Sequence, residues 1–287
     1  MARCLIVMRI DKFNPIFVYR NRERIVPYLS RRRDQFVHGW KLGQFRDRHR
    51  GERCFVIGNG PSLTMCDLDK LKSEVTFAAN KIYLAFDKTD WRPSYYVVED
   101  DHMIWQHHEE IIRLHGFTKF VSSNWTLERG SVVTDSEIER LKNLFRQDRE
   151  VVLYRRSLLE QEEFPKFSGD GCRVVHCGYM VTYISLQLAY FMGFTRVYLI
   201  GVDFNYSLSN PGSNTFTHAE HHPQDHFTPN YFCPGEKRYM PQLERAERAM
   251  VCAKDFYEAH GRKVWNATRG GNLEVFDRIS LEEALVK

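Results

Sequence analysis

Short apolar runs alternate with amphipathic stretches along most of the chain, and this alternation is the main structural signal. Runs of high β propensity predict strands, and the longer periodic stretches between them predict helices. The predicted strands lie at residues 53–57, 75–79, 95–98, 119–122, 151–154, 196–200 and 263–266. Helices are predicted over residues 136–145, 177–192 and 241–260. Because strands that alternate with helices build parallel sheets, the sequence predicts an α/β protein, with a mostly parallel sheet and helices on both faces.

The first 51 residues precede this pattern and carry most of the positive charge. Residues 1–53 hold 14 Lys and Arg against 5 Asp and Glu, a net charge of +9, whereas the remainder has a net charge of −5. We therefore expect residues 1–51 to be a basic arm or helical appendage and residues 52–287 to be the α/β domain. Three interpretations of the arm stay open: a solvated helix, attraction to an anionic membrane surface, and nucleic-acid binding. Nucleic acid ranks last, because no reader motif accompanies the charge, and we expect no nucleic-acid partner.

Composition narrows the class of protein further. With 287 residues, 43% hydrophobic and 27% charged, the chain has the composition of a folded protein rather than a disordered one. Seven cysteines without CxxC spacing indicate a reducing compartment rather than a disulfide framework or a zinc ribbon. The apolar run at residues 4–8 is too short for a good signal peptide. We expect a cytoplasmic protein, with peripheral attachment to the inner face of the membrane through the arm.

A glycine-rich turn, GNGPSL at residues 58–63, follows the first predicted strand. It lacks the last glycine of GxGxxG and the GK[ST] of a P-loop. The turn can bring backbone close to a ligand at Gly58 and Gly60, and Asn59 can offer an amide. Ser62 can cap a following helix whose N-terminus attracts phosphate. A plain tight turn is an equal alternative.

Other polar side chains also follow predicted strands, at the sheet edge where parallel sheets bind ligands. For Asn80 and the acidic run at residues 99–101, the alternatives are ribose or base recognition, metal binding and simple solvation. Asp203 follows a strand that is apolar on both faces. Its carboxylate is therefore expected either to hold a ligand hydroxyl or to order its own loop.

Residues 207–240 predict a long, lid-like loop that is rich in histidine. Three of the histidines recur at every fourth position, which would suit a metal site on a helix, but Pro223 disfavours a helix there. Histidine is the usual general base near neutral pH, and His226 is the candidate. The other histidines, expected to be solvated, are His218, His221 and His222.

Five sequence blocks occur in the order of a known family. They are VIGNGPSL at 56–63, AANKIY at 78–83, CGYM at 177–180, YLIGVDFNY at 198–206 and the histidine-bearing loop. Together they resemble the CMP-sialic-acid-dependent sialyltransferases of glycosyltransferase family 42. They also resemble the wider DUF115 group, which includes Maf-type flagellin glycosylation proteins and MptE-like hydroxymethylpterin pyrophosphokinases. NATRGG at 266–271 fits the DUF115 side, and the resemblance spans about residues 52–287.

The resemblance implies a modified Rossmann-like fold and a set of site residues. His226 would be the base, and Tyr206 and Tyr231 would stabilise the departing phosphate. The implied nucleotide-binding residues are Gly58, Asn59, Gly60, Pro61, Ser62, Asn80, Asp100, Cys177, Gly178, Asp203 and Asn205. Three places depart from the family pattern. Cys177 replaces the Thr or Ser before the helix glycine, Asn205 replaces the tyrosine after GVDF, and Glu99 and Asp100 occupy the region where the family has an asparagine on the third strand.

The first functional hypothesis is an inverting glycosyltransferase that moves a nonulosonate-type sugar from a CMP donor to a bacterial surface glycan or glycoprotein. No cofactor or metal is required, since CMP leaves as a monophosphate, although Mg²⁺ is compatible. The alternative is an MptE-like pyrophosphokinase that uses ATP and Mg²⁺, with Asp100, Asp101 or Asp203 as metal ligands. A third hypothesis is a non-catalytic glycan-assembly protein on the same fold. The oligomeric state stays open.

Overall fold

All seven predicted strands lie in one parallel sheet. The computed structural model describes residues 40–124, 135–157, 165–206, 215–217, 225–233, 235–239 and 241–286. The sheet strands are β1 (Arg53–Ile57), β2 (Thr76–Ala79), β3 (Tyr95–Val98), β4 (Thr118–Ser122), β5 (Val151–Tyr154), β6 (Arg196–Ile200) and β9 (Lys263–Asn266). Two short strands, β7 (Thr215–Thr217) and β8 (Lys237–Tyr239), pair antiparallel as a separate hairpin.

Six α-helices lie wholly within the described residues, and they connect and flank these strands. They are α1 (Met65–Lys70), α2 (Asp101–Arg113), α3 (Asp135–Gln147), α4 (Val181–Phe191), α5 (Leu243–Ala259) and α6 (Leu281–Val286). A 3₁₀ helix at Asn80–Ala85 follows β2. No helix in the described part of the chain is long and apolar enough to cross a membrane.

The order of the strands places a crevice beside β1. The sheet order is β5-β4-β3-β2-β1-β6-β9, so the chain first builds outward from β1 to β5 and then returns to add β6 on the other side of β1. Ile57 of β1 pairs with Ala78 of β2 and Ile200 of β6. Ligands of open α/β sheets bind at such a reversal of strand order, outside the carboxyl ends of the strands. The α/β fold predicted from the sequence is confirmed.

Alternating side chains of the strands supply two apolar layers, one on each face. Cys54 and Val56 of β1 pack in the layer that contains α4 and α5, whereas Phe55 and Ile57 pack with the other four α-helices. Period-two alternation with apolar residues on both faces explains why the strands are continuous apolar runs. Gly193 ends α4 with a φ of 94°, as expected of a glycine after a helix C-terminus.

The predicted boundary between arm and domain at residue 51 needs correction. Leu42 and Phe45 are buried in the core layer with α4, and the backbone of Asp47 and His49 donates to carbonyls at the end of α4. Arg46 forms an ion pair with Asp170. Residues 40–51 are therefore part of the α/β domain, and residues 1–39 of the predicted arm lie outside the described residues.

Two predicted elements differ from the structure. The helix predicted to open at Cys177 begins only at Val181, because Tyr179 has a left-handed backbone with φ of 60° and Met180 is extended. The region 207–240, predicted as wholly irregular, contains the β7–β8 hairpin. In both regions the difference arises from backbone turns and pairings that leave no apolar periodicity in the sequence.

Candidate functional site

A large cavity lies at the carboxyl ends of β1, β2, β3 and β6, at the reversal of strand order. Its volume is about 1270 Å³, more than a single nucleotide needs. The predicted site residues in its wall are Gly58, Asn59, Gly60, Asn80, Asp100, Cys177, Asp203, Asn205, Tyr206, His226 and Tyr231. The fold therefore brings together residues that lie as much as 173 positions apart in the sequence, from Gly58 to Tyr231.

The turns after β1 and β6 pack backbone against backbone. The Gly60 N–H donates to the Gly201 carbonyl at 2.8 Å. A Cβ on Gly58 would overlap the Gly201 carbonyl, and a Cβ on Gly60 would overlap the carboxylate of Asp203. These glycines are thus required by the contact between two loops, while the same loops also line the cavity.

Asn59 and Asn80 bring their side chains to the cavity from neighbouring strand ends. Asn59 donates through Nδ2 to the Ala79 carbonyl at 2.9 Å, so its amide bridges β1 and β2. The Oδ1 atoms of both asparagines are buried and accept no hydrogen bond from any described residue. Asn80 also has a left-handed backbone with φ of 51°. Two acceptor atoms are therefore poised for a ligand that donates hydrogen bonds, such as a nucleoside.

Aromatic rings hold His226 in the cavity wall. Its imidazole stacks on the Tyr231 ring at 3.9 Å between centroids, and the Phe232 and Tyr206 rings approach edge-on at 5.1 and 6.3 Å. The backbone of the next residue, Phe227, donates to the Asn59 carbonyl at 2.9 Å. The segment that carries His226 is thus fastened directly to the GNGPSL turn. The other three histidines of this loop lie outside the described residues.

Tyr231 is buried, and its hydroxyl accepts a hydrogen bond from the Lys81 backbone at 3.3 Å. Burial raises the pKa of the Tyr231 phenol. The hydroxyl therefore stays protonated at neutral pH and retains its own proton for donation.

Arg156, just after β5, organises the acidic side of the cavity. Its Nη2 atom donates to Asp101 at 2.9 Å, and its Nη1 atom donates to the Glu99 backbone carbonyl at 3.0 Å. The Cys177 thiol donates to the Glu99 carboxylate at 2.5 Å. Burial raises the pKa of the Cys177 thiol and also that of the Glu99 carboxyl.

The other two strand-end carboxylates have protein partners as well. Asp100 caps α2 by accepting from the backbone of His102 and Met103, and Asp203 accepts from the Ser62 hydroxyl at 2.8 Å. Burial raises the pKa of both carboxyls.

No group of three or more His, Cys, Asp or Glu side chains among the described residues is arranged to hold a metal ion. The carboxylates that the pyrophosphokinase hypothesis assigns to Mg²⁺ cap a helix, pair with an arginine or bind a serine, and they do not fit a ready-made metal site.

Three of the predicted nucleotide-binding residues do not line the cavity. Pro61 is exposed, Ser62 supports Asp203 from behind, and Gly178 lies against the Tyr183 ring, where a Cβ would overlap that ring. Gly178 also precedes the turn that delays α4. The prediction that Gly178 lies at the start of the helix is therefore wrong. In the structure Gly178 allows close packing against Tyr183 and precedes the turn before α4.

A second contact, which holds the segment before β8 to the strand ends, is not evident from the sequence. The buried Lys81 donates to both carboxylate oxygens of Glu236, at 2.7 and 2.6 Å, and His107 of α2 lies 3.3 Å from the same carboxylate. All three residues line the cavity. Lys81 could have been noticed because it directly follows Asn80, but nothing in the sequence marks Glu236.

We expect Glu236→Gln to remove the ion pair between Lys81 and Glu236 and so to destabilise the protein. Burial alone would raise the pKa of Glu236, but the nearby His107 ring and the hydrogen bonds and charge of Lys81 lower it from 4.5 to about 2. The ion pair therefore contributes fully above about pH 4.5, and its contribution is lost as the pH falls toward 2. The variant should lose about 1–3 kcal/mol of unfolding free energy at neutral pH.

Urea denaturation between about pH 7 and pH 3 measures this difference. Glu244→Gln, an exposed carboxylate on α5, is the matched control and should be nearly silent. A difference between wild type and Glu236→Gln that stays constant down to the lowest pH would contradict the proposed ion pair.

The chain has similarity to a solved structure and to a protein family. No curated protein matches the chain. Among solved structures, the chain is similar to the Maf glycosyltransferase from Magnetospirillum magneticum AMB-1, with 16% identity and a TM-score of 0.48 over 83% of this chain. The chain covers 35% of the length of that protein. The family described as 6-hydroxymethylpterin diphosphokinase MptE-like matches residues 34–208. Because this match spans more than half of the sequence, the chain belongs to the MptE-like family.

Proposed function

We propose that the protein is an inverting glycosyltransferase that takes a nonulosonate-type sugar from a CMP donor and passes it to a surface glycan or glycoprotein. The observation that carries the proposal is the joint placement of His226, Tyr206 and Tyr231 in one cavity wall with Asn59 and Asn80. The two asparagines supply acceptors for the nucleoside. The histidine and the tyrosines supply a base and hydroxyl donors for the reaction itself.

In the proposed reaction, His226 accepts the proton of an acceptor hydroxyl as that oxygen attacks the anomeric carbon. The bond to the CMP phosphate breaks as positive charge develops on the sugar ring, and CMP carries away the bonding electrons. Tyr231, kept protonated by burial, and Tyr206 donate hydrogen bonds to the departing phosphate. Stacking on Tyr231 fixes the plane of the imidazole, which helps to orient the base.

A second candidate is pyrophosphoryl transfer from ATP, which the family description and the charge of the cavity both favour. Among the described residues, the wall contains six carboxylates against three Lys and Arg, so a cation that accompanies a polyphosphate would be attracted to it. The six are Glu99, Asp100, Asp101, Asp203, Asp225 and Glu236.

Nucleotide binding separates the two candidates. Under the glycosyltransferase proposal, CMP should raise the melting temperature, and Asn59→Ala and Asn80→Ala should each weaken CMP binding about tenfold, since each removes a hydrogen-bond acceptor. Isothermal titration calorimetry measures the affinity. Asn143→Ala, an exposed asparagine of α3, is the control. Stabilisation by ATP with Mg²⁺ but not by CMP would contradict the proposal and favour the pyrophosphokinase.

His226→Ala tests the assigned base. A positioned base contributes about 10²–10⁴-fold in rate, so release of CMP from CMP-N-acetylneuraminate should fall by that order while donor affinity changes little. His260→Ala, an exposed histidine at the end of α5, should keep the wild-type rate. If His226→Ala stays active and His218→Ala does not, the base lies earlier in the same loop.

We also propose that the basic N-terminal region guides the protein to an anionic membrane surface. The net charge of +9 over residues 1–53 supports this, although Arg46 is already paired within the domain. The full chain should float with vesicles that contain anionic lipid and not with neutral ones, and the attraction should weaken as salt rises. Attachment that is insensitive to salt would contradict an electrostatic cause.

A further inference from the structure

The three cations in the cavity wall differ in how far protein carboxylates neutralise them. Lys81 is paired with Glu236, and Arg156 is paired with Asp101. Arg245 of α5 has no carboxylate partner among the described residues; its Nη1 atom instead donates to the Tyr179 hydroxyl at 3.0 Å. Arg245 is therefore the cavity cation whose charge remains for a ligand.

Tyr179 holds Arg245 through an unusual backbone. Its φ of 60° is in the left-handed region, which a bulky side chain seldom adopts. Four non-glycine residues of the described chain have positive φ, and Asn80, Tyr179 and Phe204 among them line this cavity. Such strain concentrates at functional sites. Here it presents the ring to Arg245, whose guanidinium carbon lies 5.4 Å from the ring centroid.

The surroundings of this pair favour an anion. Thr182, in the first turn of α4, is 5% exposed and lines the cavity, and its hydroxyl forms no hydrogen bond with any described residue. The N-cap residues of α4 and α5, Met180 and Gln242, provide no side-chain cap. Positive ends of two helix dipoles and a hydroxyl thus accompany the guanidinium at this wall.

We propose that Arg245, oriented by Tyr179, binds a carboxylate on the sugar that the enzyme handles, at a subsite separate from the nucleotide site. The choice of an acidic sugar rests on the proposed function; the subsite itself rests on the charge and geometry of this wall. Arg245 is a specificity-determining residue, since its contact adds affinity only for a substrate that carries the carboxylate. The carboxylate belongs either to the donor sugar or to an acidic acceptor.

The probes are N-acetylneuraminate and its uncharged methyl ester, titrated into the full chain without nucleotide and followed by NMR. The wild type should bind the acid about tenfold more tightly than the ester, the effect of one charge-assisted hydrogen-bonded contact. Arg245→Gln should remove that preference and leave the weak binding of the ester unchanged. Tyr179→Phe keeps the ring but loses the hydroxyl, and it should reduce the preference in part.

Arg248→Gln is the matched control, because Arg248 lies on the same helix, is exposed and does not line the cavity. It should behave as the wild type. Equal affinity of the wild type for acid and ester would overturn the inference, and so would equal effects of Arg245→Gln and Arg248→Gln. The inference would also be overturned if Arg245→Gln weakened the binding of CMP as strongly as the binding of the acid, since the anion bound by Arg245 would then be the nucleotide phosphate.

Saturating CMP identifies the source of the carboxylate. If the acid still binds beside CMP, the subsite serves the acceptor. CMP-N-acetylneuraminate should bind the wild type more tightly than CMP if the subsite serves the donor. Arg245→Gln should then remove this difference in affinity. If the wild type binds the acid through Arg245 but does not bind CMP, the result supports the subsite and contradicts the proposed function. If the wild type binds CMP and Arg245→Gln changes the affinity for neither sugar ligand, the result contradicts the subsite but not the proposed function.

Discussion

The close backbone contact between the turns after β1 and β6 is the constraint on which the site depends. Gly58 donates to the Ile200 carbonyl and Gly60 to the Gly201 carbonyl, both at 2.8 Å, so no side chain fits between the two turns. This contact joins the strands on either side of the reversal in strand order. It leaves Asn59 and Asp203 on the rim of one crevice. The loop after β9 holds Asp203 from the other side, through the Asn272 backbone at 2.7 Å.

Electrostatic pairing decides which polar groups in the crevice remain for a ligand. Carboxylates are the commonest charged groups there, yet Asp101 is held by Arg156 and Glu236 by Lys81 and His107. Removing one member of such a buried pair leaves the other charge uncompensated. The main role of these paired groups is therefore to stabilise the structure. Among the described residues of the wall, the polar groups left over include the amide oxygens of the two strand-end asparagines, the Thr182 hydroxyl and the guanidinium of Arg245. A ligand that matches them donates hydrogen bonds at one end and carries negative charge at the other.

The sequence predicts the sheet well because each buried strand is a continuous apolar run, and the run at 53–57 coincides with β1. Most of the predicted site residues also lie in the cavity wall, since polar residues at the ends of parallel strands must meet at one edge. It fails where backbone conformation decides, as at Tyr179, whose left-handed turn delays α4 and turns Gly178 away from the cavity. Partners distant in sequence, such as Lys81 and Glu236, give no local signal and follow only from the tertiary fold.

One residue links the strand-end site with the lid region. Lys81 follows Asn80 directly; its backbone donates to the hydroxyl of Tyr231, and its ammonium group binds Glu236 just before β8. Tyr231 in turn stacks on His226. A ligand that binds Asn80 therefore contacts the residue next to Lys81, which holds Tyr231 and Glu236 in place. Two contacts, from Lys81 to Tyr231 and from Tyr231 to His226, connect the proposed base to the residue beside Asn80. The two ends of the site therefore need not be treated as independent.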